Sequence, residues 1–227
     1  SYMDDHWMKP AGQNGIPAAF LVGKTGEIEW IGHPSSLDSV LNQYLAGTWD
    51  RAAAKAKLDE EQRFAKKGRE LMMKAMMAER SGDRAAAAAA FEELAKEFPN
   101  NENVMAMQFD FLLGDAATAD QGYAIGRKLM TDNWDSPSML NMLAWTVADD
   151  EKVAKRDLSF AMKAATRANE LTKYEDASIV DTLARVYWEQ GNKTKAIELQ
   201  KKAIALAEDG RMKDNLKETL ASYTAEE

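Results

Sequence analysis

The chain has 227 residues, of which 45% are hydrophobic and 29% are charged, a balance typical of a globular protein with a buried core. A formal net charge of −8 disfavours nucleic acid as a partner, and no apolar run approaches the roughly 18 residues that membrane insertion of a helix needs. The sequence contains no cysteine, which excludes disulfides, thiolate nucleophiles and cysteine-ligated zinc among these residues. Long stretches of Ala, Leu, Met, Glu and Lys predict a mainly α fold.

The strand pattern lies within the first fifty residues. Residues 16–23 are a short apolar run that begins at a proline, and residues 24–26 (Lys-Thr-Gly) are typical of a hairpin turn. Residues 27–31 then alternate polar and apolar side chains, which is the period of a strand with one solvent-facing side. This segment is therefore predicted to form two strands joined by a tight turn.

A short helix is predicted after these strands. Pro34 interrupts the strand pattern, and apolar residues then recur at helical spacing between Leu37 and Leu45. Ser36 is the predicted N-cap, and Gly47 is the predicted stop because glycine favours the backbone conformation in which many helices end. The predicted order is strand, turn, strand, helix.

The motif Gly-Ile-Pro at residues 15–17, followed by Phe-Leu-Val, a turn glycine and Trp-Ile-Gly-His-Pro at residues 30–34, resembles the C-terminal half of thioredoxin-like proteins. The closest similarity is to TlpA-type thiol–disulfide reductases. In that family the proline is cis and lies against a Cys-x-x-Cys pair, and the preceding residue pairs with a substrate strand. The resemblance thus implies substrate-backbone contact by Ile16 and Pro17. The alternative is that Pro17 is an ordinary edge-strand or turn proline.

The cysteine pair of that family lies ahead of the segment that the resemblance covers, which leaves two interpretations of residues 1–48. They form a redox-inactive half-domain, or they belong to a thiol–disulfide oxidoreductase whose catalytic cysteines lie upstream of this chain. In the second case we expect an extracytoplasmic protein if a signal peptide precedes the chain, and otherwise a cytoplasmic one. Two strands and one helix do not make a stable sheet domain alone.

Residues 49–227 carry helical periodicity throughout and are predicted to form a second domain. Residues 50–80 form one long predicted helix, and another follows the turn at residues 81–83. This helix pair resembles a tetratricopeptide repeat, in which small residues let two helices approach closely and an aromatic residue fills the gap between pairs. The matching positions are Leu71, Ala75, Ala78, Gly82, Ala87, Phe91 and Pro99.

The same pattern returns near the end of the chain, with Gln200 where the repeat has an aromatic residue. Its positions are Val180, Leu183, Ala184, Tyr187, Gly191, Ala196 and Ala203. Two less regular units lie between these repeats, one with Val104, Met107, Gln108 and Phe111 inward. Equivalent positions (Ala75, Gln108, Ala144, Ala184) are 33, 36 and 40 residues apart, against about 34 in the template. Residues 212–223 predict a capping helix. The alternative to a repeat array is an irregular helical bundle.

In tetratricopeptide arrays the first helices of successive pairs line a concave groove that holds a protein or peptide partner. The groove-side residues predicted by periodicity are Met72, Met76, Met105, Phe109, Asn141, Trp145, Arg185 and Trp188. This set favours an adaptable apolar contact with an extended segment or an amphipathic helix. The alternative is that these residues pack inside the protein.

The sequence offers little for catalysis, metals or cofactors. The four methionines between residues 72 and 77 are a soft-metal candidate, but helix packing explains them better. His6 and His33 are too few for a zinc centre unless carboxylates complete it. Neither a glycine-rich phosphate loop nor a Ser/His/Asp constellation occurs, so we expect no catalytic residue, metal or cofactor. The leading hypothesis is a non-catalytic interaction module; the alternative is the oxidoreductase described above.

Overall fold

The structure, a computed structural model, describes residues 2–13 and 16–225. It divides into two compact units, Ser1–Phe98 and Pro99–Glu227. The first unit holds both strands together with the first helical hairpin, so this division does not coincide with the boundary expected after residue 48. That boundary follows a family resemblance rather than compactness, and it stays a prediction.

The two predicted strands pair with each other in the first unit. Strands β1 (Ala19–Val22) and β2 (Ile28–Gly32) are antiparallel, with Leu21 opposite Trp30. Residue 26, the predicted turn glycine, lies between them at a φ of +82°. Among the described residues the sheet has only these two strands, so the order strand, turn, strand is confirmed.

The first helix begins and ends where the sequence predicts, but its N-cap is different. Helix α1 (Leu37–Leu45) stops ahead of Gly47, whose φ is +72°. Ser36 makes no side-chain capping bond. A 3-10 turn at Pro34–Ser36 leads directly into α1. The capping contact is therefore at the start of that turn, where the His33 ring nitrogen accepts from the Ser35 backbone N–H at 3.3 Å.

The long helix predicted at residues 50–80 is continuous apart from a change of pitch. Helices α2 (Arg51–Arg63) and α3 (Arg69–Ser81) are joined by a π-helical turn at Phe64–Gly68. The Asp50 carboxylate caps α2 by accepting from the Ala53 backbone N–H at 2.9 Å, which satisfies one of the free donors of a helix start.

Helices α3 and α4 (Arg84–Glu97) form the predicted hairpin. Its turn contains Gly82, and Asp83 caps α4 by accepting from the Ala86 N–H at 2.9 Å. The repeat positions of this hairpin supply its interior, as predicted. The buried members are Leu71, Ala75, Ala78, Ala87, Phe91 and Leu94.

The described residues of the second unit form seven helices. They are α5 (Glu102–Leu113), α6 (Ala119–Asp132), α7 (Pro137–Asp149), α8 (Leu158–Leu171), α9 (Ala177–Glu189), α10 (Lys193–Leu206) and α11 (Arg211–Ala225). Helix α7 packs on α8 and α9, α9 packs on α8 and α10, and α10 packs on α11. This is the neighbour pattern of stacked helical hairpins closed by a single terminal helix.

The hairpins α7–α8 and α9–α10 bury equivalent residues. Leu140, Leu143 and Ala144 of the first correspond to Val180, Leu183 and Ala184 of the second, and all six are buried. The side chains of Asp157, Asp176 and Asn192 each accept from first-turn N–H groups and so start α8, α9 and α10. The fold is thus a mainly α helical-repeat array preceded by a two-stranded sheet.

The α5–α6 hairpin departs from the predicted repeat. Its expected inward residues Met107 and Gln108 are only half-buried, whereas Phe109 is completely buried. The Phe109 ring centroid lies 5.8 Å from that of Phe160 in α8. Gly126 makes room for this contact, since a Cβ atom there would lie 2.6 Å from the Phe109 ring. The other two residues expected inward, Val104 and Phe111, are buried, so the inward face of α5 agrees with the repeat template only in part.

Candidate functional site

The candidate site is a surface shared by α7 and α9. On α7, three polar or aromatic residues four positions apart share one side. On α9, three charged residues with the same spacing share one side next to Trp188, because residues i and i+4 are neighbours on a helix. We call this surface the α7–α9 face. Its residues are Asn141, Trp145 and Asp149 on α7, and Asp181, Arg185, Trp188 and Glu189 on α9.

An ion-pair network joins the two helices of this face. The Nε atom of Arg185 lies 3.3 Å from Oδ1 of Asp149, although the two groups are not aligned for a hydrogen bond. The Nη2 atom of Arg185 lies 3.0 Å from Oε1 of Glu189. A single guanidinium thus serves two carboxylates, one on each helix, and keeps the two rows of the face together.

Asp181 is the third carboxylate of the face and has a different environment. Its Oδ1 atom accepts a hydrogen bond of 2.7 Å from the amide of Gln200, which also donates to the Leu216 carbonyl at 3.2 Å. Burial is the main cause that raises the pKa of Asp181, and the charge of Asp149 adds to it. Gln200 occupies the aromatic position of the repeat, so the polar substitution serves this contact.

Helix α11 closes one end of the face through aromatic stacking. The rings of Trp188 and Tyr223 stack with centroids 4.1 Å apart and planes 11° apart. Tyr223 is 1% exposed, and burial raises its pKa to about 12. Its hydroxyl lies close enough to Arg185 for the charge to oppose this rise, but it makes no well-aligned hydrogen bond to any described group. Trp188 is therefore half-buried and partly structural.

The structure brings together four of the eight predicted groove residues on the α7–α9 face. These are Asn141, Trp145, Arg185 and Trp188. Met105 and Phe109 are buried instead. Because their side chains belong to the core of the second unit, we leave both out of the binding surface.

Met72 and Met76 lie on α3 in the first unit, where Met72 is half-buried and Met76 is 57% exposed. Sequence reasoning missed three carboxylates of the α7–α9 face, Asp149, Asp181 and Glu189. The signal that could have found them is their spacing of four residues from the predicted site residues.

The residues implied by the thioredoxin-like resemblance lie just ahead of β1. The peptide bond between Ile16 and Pro17 is cis, the isomer that the resemblance implies, and Ile16 is 91% exposed. Gly15 of the same motif lies outside the described residues.

A cleft of about 670 Å³ lies elsewhere in the first unit, between the π-helical segment Asp4–Met8, β2 and α2. Its lining includes His6, Trp7, Trp30 and Leu58, but neither Ile16 nor Pro17. Gln62 in α2 closes one end by donating to the Ala11 carbonyl at 3.0 Å. The cleft and the resemblance therefore mark different places in this unit.

Comparison with known proteins finds one family match. A family model described as tetratricopeptide repeat matches residues 177–209, which span α9, α10 and the start of the following loop. No curated protein matches the chain. Fold and match together define the class as a helical-repeat protein that contains a tetratricopeptide repeat. The matched segment carries Asp181, Arg185, Trp188 and Glu189 of the α7–α9 face.

Within residues 2–13 and 16–225, no helix is both long and apolar enough to cross a membrane.

Proposed function

We propose that the chain is a protein–protein interaction module and that its α7–α9 face holds a segment of the partner. The observation that carries this proposal is the tetratricopeptide match at residues 177–209, because repeats of this class typically bind protein partners. The match includes the α9 half of the face. The other half lies on α7, which packs directly against α9 and belongs to an equivalent hairpin.

The chemistry of the face supports a peptide-like ligand. Trp145 is 38% exposed and offers apolar area beside charged groups. Aromatic side chains of this kind are common anchors in protein interfaces.

Trp145→Ala tests the proposal by crosslinking and pull-down of partners from extracts of the source cells. We expect partner capture to fall strongly while the melting temperature changes little, because the Trp145 side chain is substantially exposed. Trp134→Ala is the matched control, since Trp134 is 37% exposed but lies outside the face. Capture that survives Trp145→Ala, or that falls as much with Trp134→Ala as with Trp145→Ala, would contradict the proposed site.

Trp188→Ala is expected to behave differently from Trp145→Ala. The Trp188 ring stacks on the buried Tyr223, so its removal should lower both partner capture and stability. Helical periodicity predicts the same groove-side role for both tryptophans. The two variants distinguish Trp145, which only contacts the partner, from Trp188, which also packs against α11.

We also propose a second candidate function, which rests on the resemblance of residues 15–33 to TlpA-type reductases. In this case the natural protein is a thiol–disulfide oxidoreductase with its cysteine pair upstream, and the helical array recruits substrates to Ile16 and Pro17. The antiparallel pairing of β1 and β2 supports it. The test is insulin reduction by the product of the whole natural gene. Activity that is lost when its cysteines are replaced by serine is the expected result, and absence of reduction would contradict this candidate.

A further inference from the structure

The α7–α9 face carries more negative than positive charge. Asp149, Asp181 and Glu189 contribute three carboxylates against the guanidinium of Arg185 and the ammonium of Lys193, whose Nζ lies 5.0 Å from the ring centroid of Trp188 at one end of the face. Arg185 is already engaged by Asp149 and Glu189. Within residues 2–13 and 16–225, no Lys, Arg or His lies within ion-pair distance of Asp181, whose partner is the neutral amide of Gln200. The charge of Arg185 acts on Asp181 and lowers its pKa, but it forms no direct ion pair with this carboxylate.

Partial burial makes this excess of negative charge unfavourable. A carboxylate removed from water loses hydration, and a like charge nearby adds repulsion. Both effects act on Asp181. Burial is the largest cause and raises the pKa, and the charge of Asp149 adds to it, while the hydrogen bond from Gln200 and the charge of Arg185 oppose the rise without cancelling it. A cation brought by a partner would relieve both effects, because it replaces lost hydration with a direct ion pair.

Buried polar atoms behind the face are unpartnered and are mostly acceptors. Gln200 is completely buried, and its Oε1 atom has no hydrogen-bond partner among the described residues, while its Nε2 atom donates to Asp181. The hydroxyl of Tyr223 is buried and also lacks a well-aligned partner. On the α7 side, Oδ1 of Asn141 is a third such atom. The fourth such atom, Nε of Arg185, is a donor. Acceptors are therefore in the majority, and a cationic side chain, which offers only donors, suits the face better than an anionic one.

The aromatic groups of the face suit the aliphatic part of such a side chain. Long cationic side chains place their methylene groups along apolar surface and keep the charged end in polar surroundings. Trp145 is one helical turn from Asp149 and from Asn141, and its exposed ring is available for this contact or for a cation–π interaction.

We propose that the α7–α9 face selects a partner segment in which a lysine or arginine binds beside Asp181 and Asp149 and an adjacent apolar residue packs on Trp145. This inference rests on the proposed function and specifies the chemistry of the partner. The α7–α9 face therefore selects basic peptide segments rather than acidic ones, since acidic segments would add to its excess of negative charge.

Three synthetic peptides test this inference by isothermal titration with the intact chain. They share one length and the same apolar positions and differ only at four positions, which are arginine, glutamine or glutamate. We expect the arginine peptide to bind about tenfold more tightly than the glutamine peptide, and this advantage to shrink as salt is raised. The glutamate peptide should bind most weakly.

Asp181→Asn should reduce the affinity for the arginine peptide severalfold and leave the glutamine peptide unchanged. Glu198→Gln is the matched control, because it removes the same charge from an exposed position on α10. Asp149→Asn is a second variant, so the test does not depend on the folding of one protein. Circular dichroism verifies that each variant is folded.

The outcomes separate this inference from the proposed function. Equal binding of the arginine and glutamine peptides, abolished by Trp145→Ala, would overturn the preference for a cation and leave the interaction site standing. If none of the peptides binds while partner capture still depends on Trp145, the preference for a cation is overturned and the interaction site stands. A preference for arginine that Glu198→Gln reduces as much as Asp181→Asn does would show general charge attraction and would also overturn it.

Discussion

Asp181 links the stability of the repeat domain to its proposed binding chemistry. Its carboxylate is partly buried, accepts one hydrogen bond from Gln200, and lies near the like charge of Asp149. Groups that are unfavourable in the free protein and favourable in a complex are frequent at binding sites, where stability is given up for function. At this residue the two properties can be measured separately.

Asp181→Asn is expected to stabilise the protein at pH 7. Burial raises the pKa of Asp181 in the folded chain above its value of about 3.9 in the unfolded chain. The folded chain therefore binds this proton more tightly, and stability is lost as pH rises through the raised pKa. The advantage of the asparagine variant in urea unfolding should be present at pH 7, shrink as pH falls through the raised pKa of Asp181, and be absent below about pH 4. An advantage no larger than that of Glu198→Gln would contradict this.

Tyr223→Phe is expected to be neutral or to stabilise by about 1 kcal/mol near pH 8, because the buried hydroxyl has no well-aligned partner to lose. Burial raises its pKa to about 12, whereas an unfolded tyrosine titrates near 10. The wild type should therefore lose stability relative to Tyr223→Phe between pH 10 and 12. The measurement is denaturant unfolding of both proteins at pH 8 and again between pH 10 and 12. A loss of stability in the phenylalanine variant at pH 8 would show that the hydroxyl does bond to Arg185.

At the scale of single elements, the turn between α9 and α10 depends on one glycine. Gly191 has a φ of +78°, in the left-handed region, and Asn192 then caps α10 by accepting from the Lys195 N–H at 3.2 Å. Gly191→Ala should destabilise by about 1 kcal/mol, whereas Gly191→Asn should lose less because asparagine tolerates this conformation. Thermal or urea unfolding compares the two variants. Equal losses would mean that side-chain crowding, rather than backbone conformation, determines the effect.

Packing of α6 should reverse the usual effect of replacing a helical glycine. In an exposed helix, Gly→Ala stabilises by about 1 kcal/mol. At Gly126 the added Cβ would lie 2.6 Å from Phe109 and 3.0 Å from Phe160, so Gly126→Ala should destabilise by about 1–3 kcal/mol. The same variant combined with Phe109→Leu should recover part of the loss in urea unfolding. A stabilised Gly126→Ala protein would contradict the burial of Phe109 in this contact.

At the scale of the whole molecule, the second unit is expected to fold alone. Its main core cluster runs from Met105 to Leu216 and draws only on residues of this unit. We therefore expect a chain of residues 99–227 to be helical, to unfold cooperatively in urea, and to bind the arginine peptide as the full chain does. Circular dichroism and titration measure this. A non-cooperative transition would show that the unit is not an independent domain.

The predictions that succeeded rest on periodicity. Helical spacing placed Leu71, Ala75, Val180 and Leu183 inside, because side chains three and four positions apart share a helix face wherever the helix lies in the fold. The prediction for the inward face of α5 was wrong for Met107 and Gln108, although Val104 and Phe111 are buried as predicted. Contacts between Phe109 and residues distant in sequence decided that face, and one hydrophobic helix can pack in more than one rotation.

The sequence by itself determined the class of this protein and one exclusion. Small residues and turns at the spacing of a helical hairpin dictate a repeat array, and the lack of cysteine excludes thiol chemistry within these residues. The polar half of the α7–α9 face was decided only in the tertiary structure. Surface carboxylates are ordinary on any helix. Asp149 and Asp181 belong to the proposed site because hairpin stacking brings their helices together and partly removes both carboxylates from water, with the guanidinium of Arg185 engaged by Asp149 and Glu189.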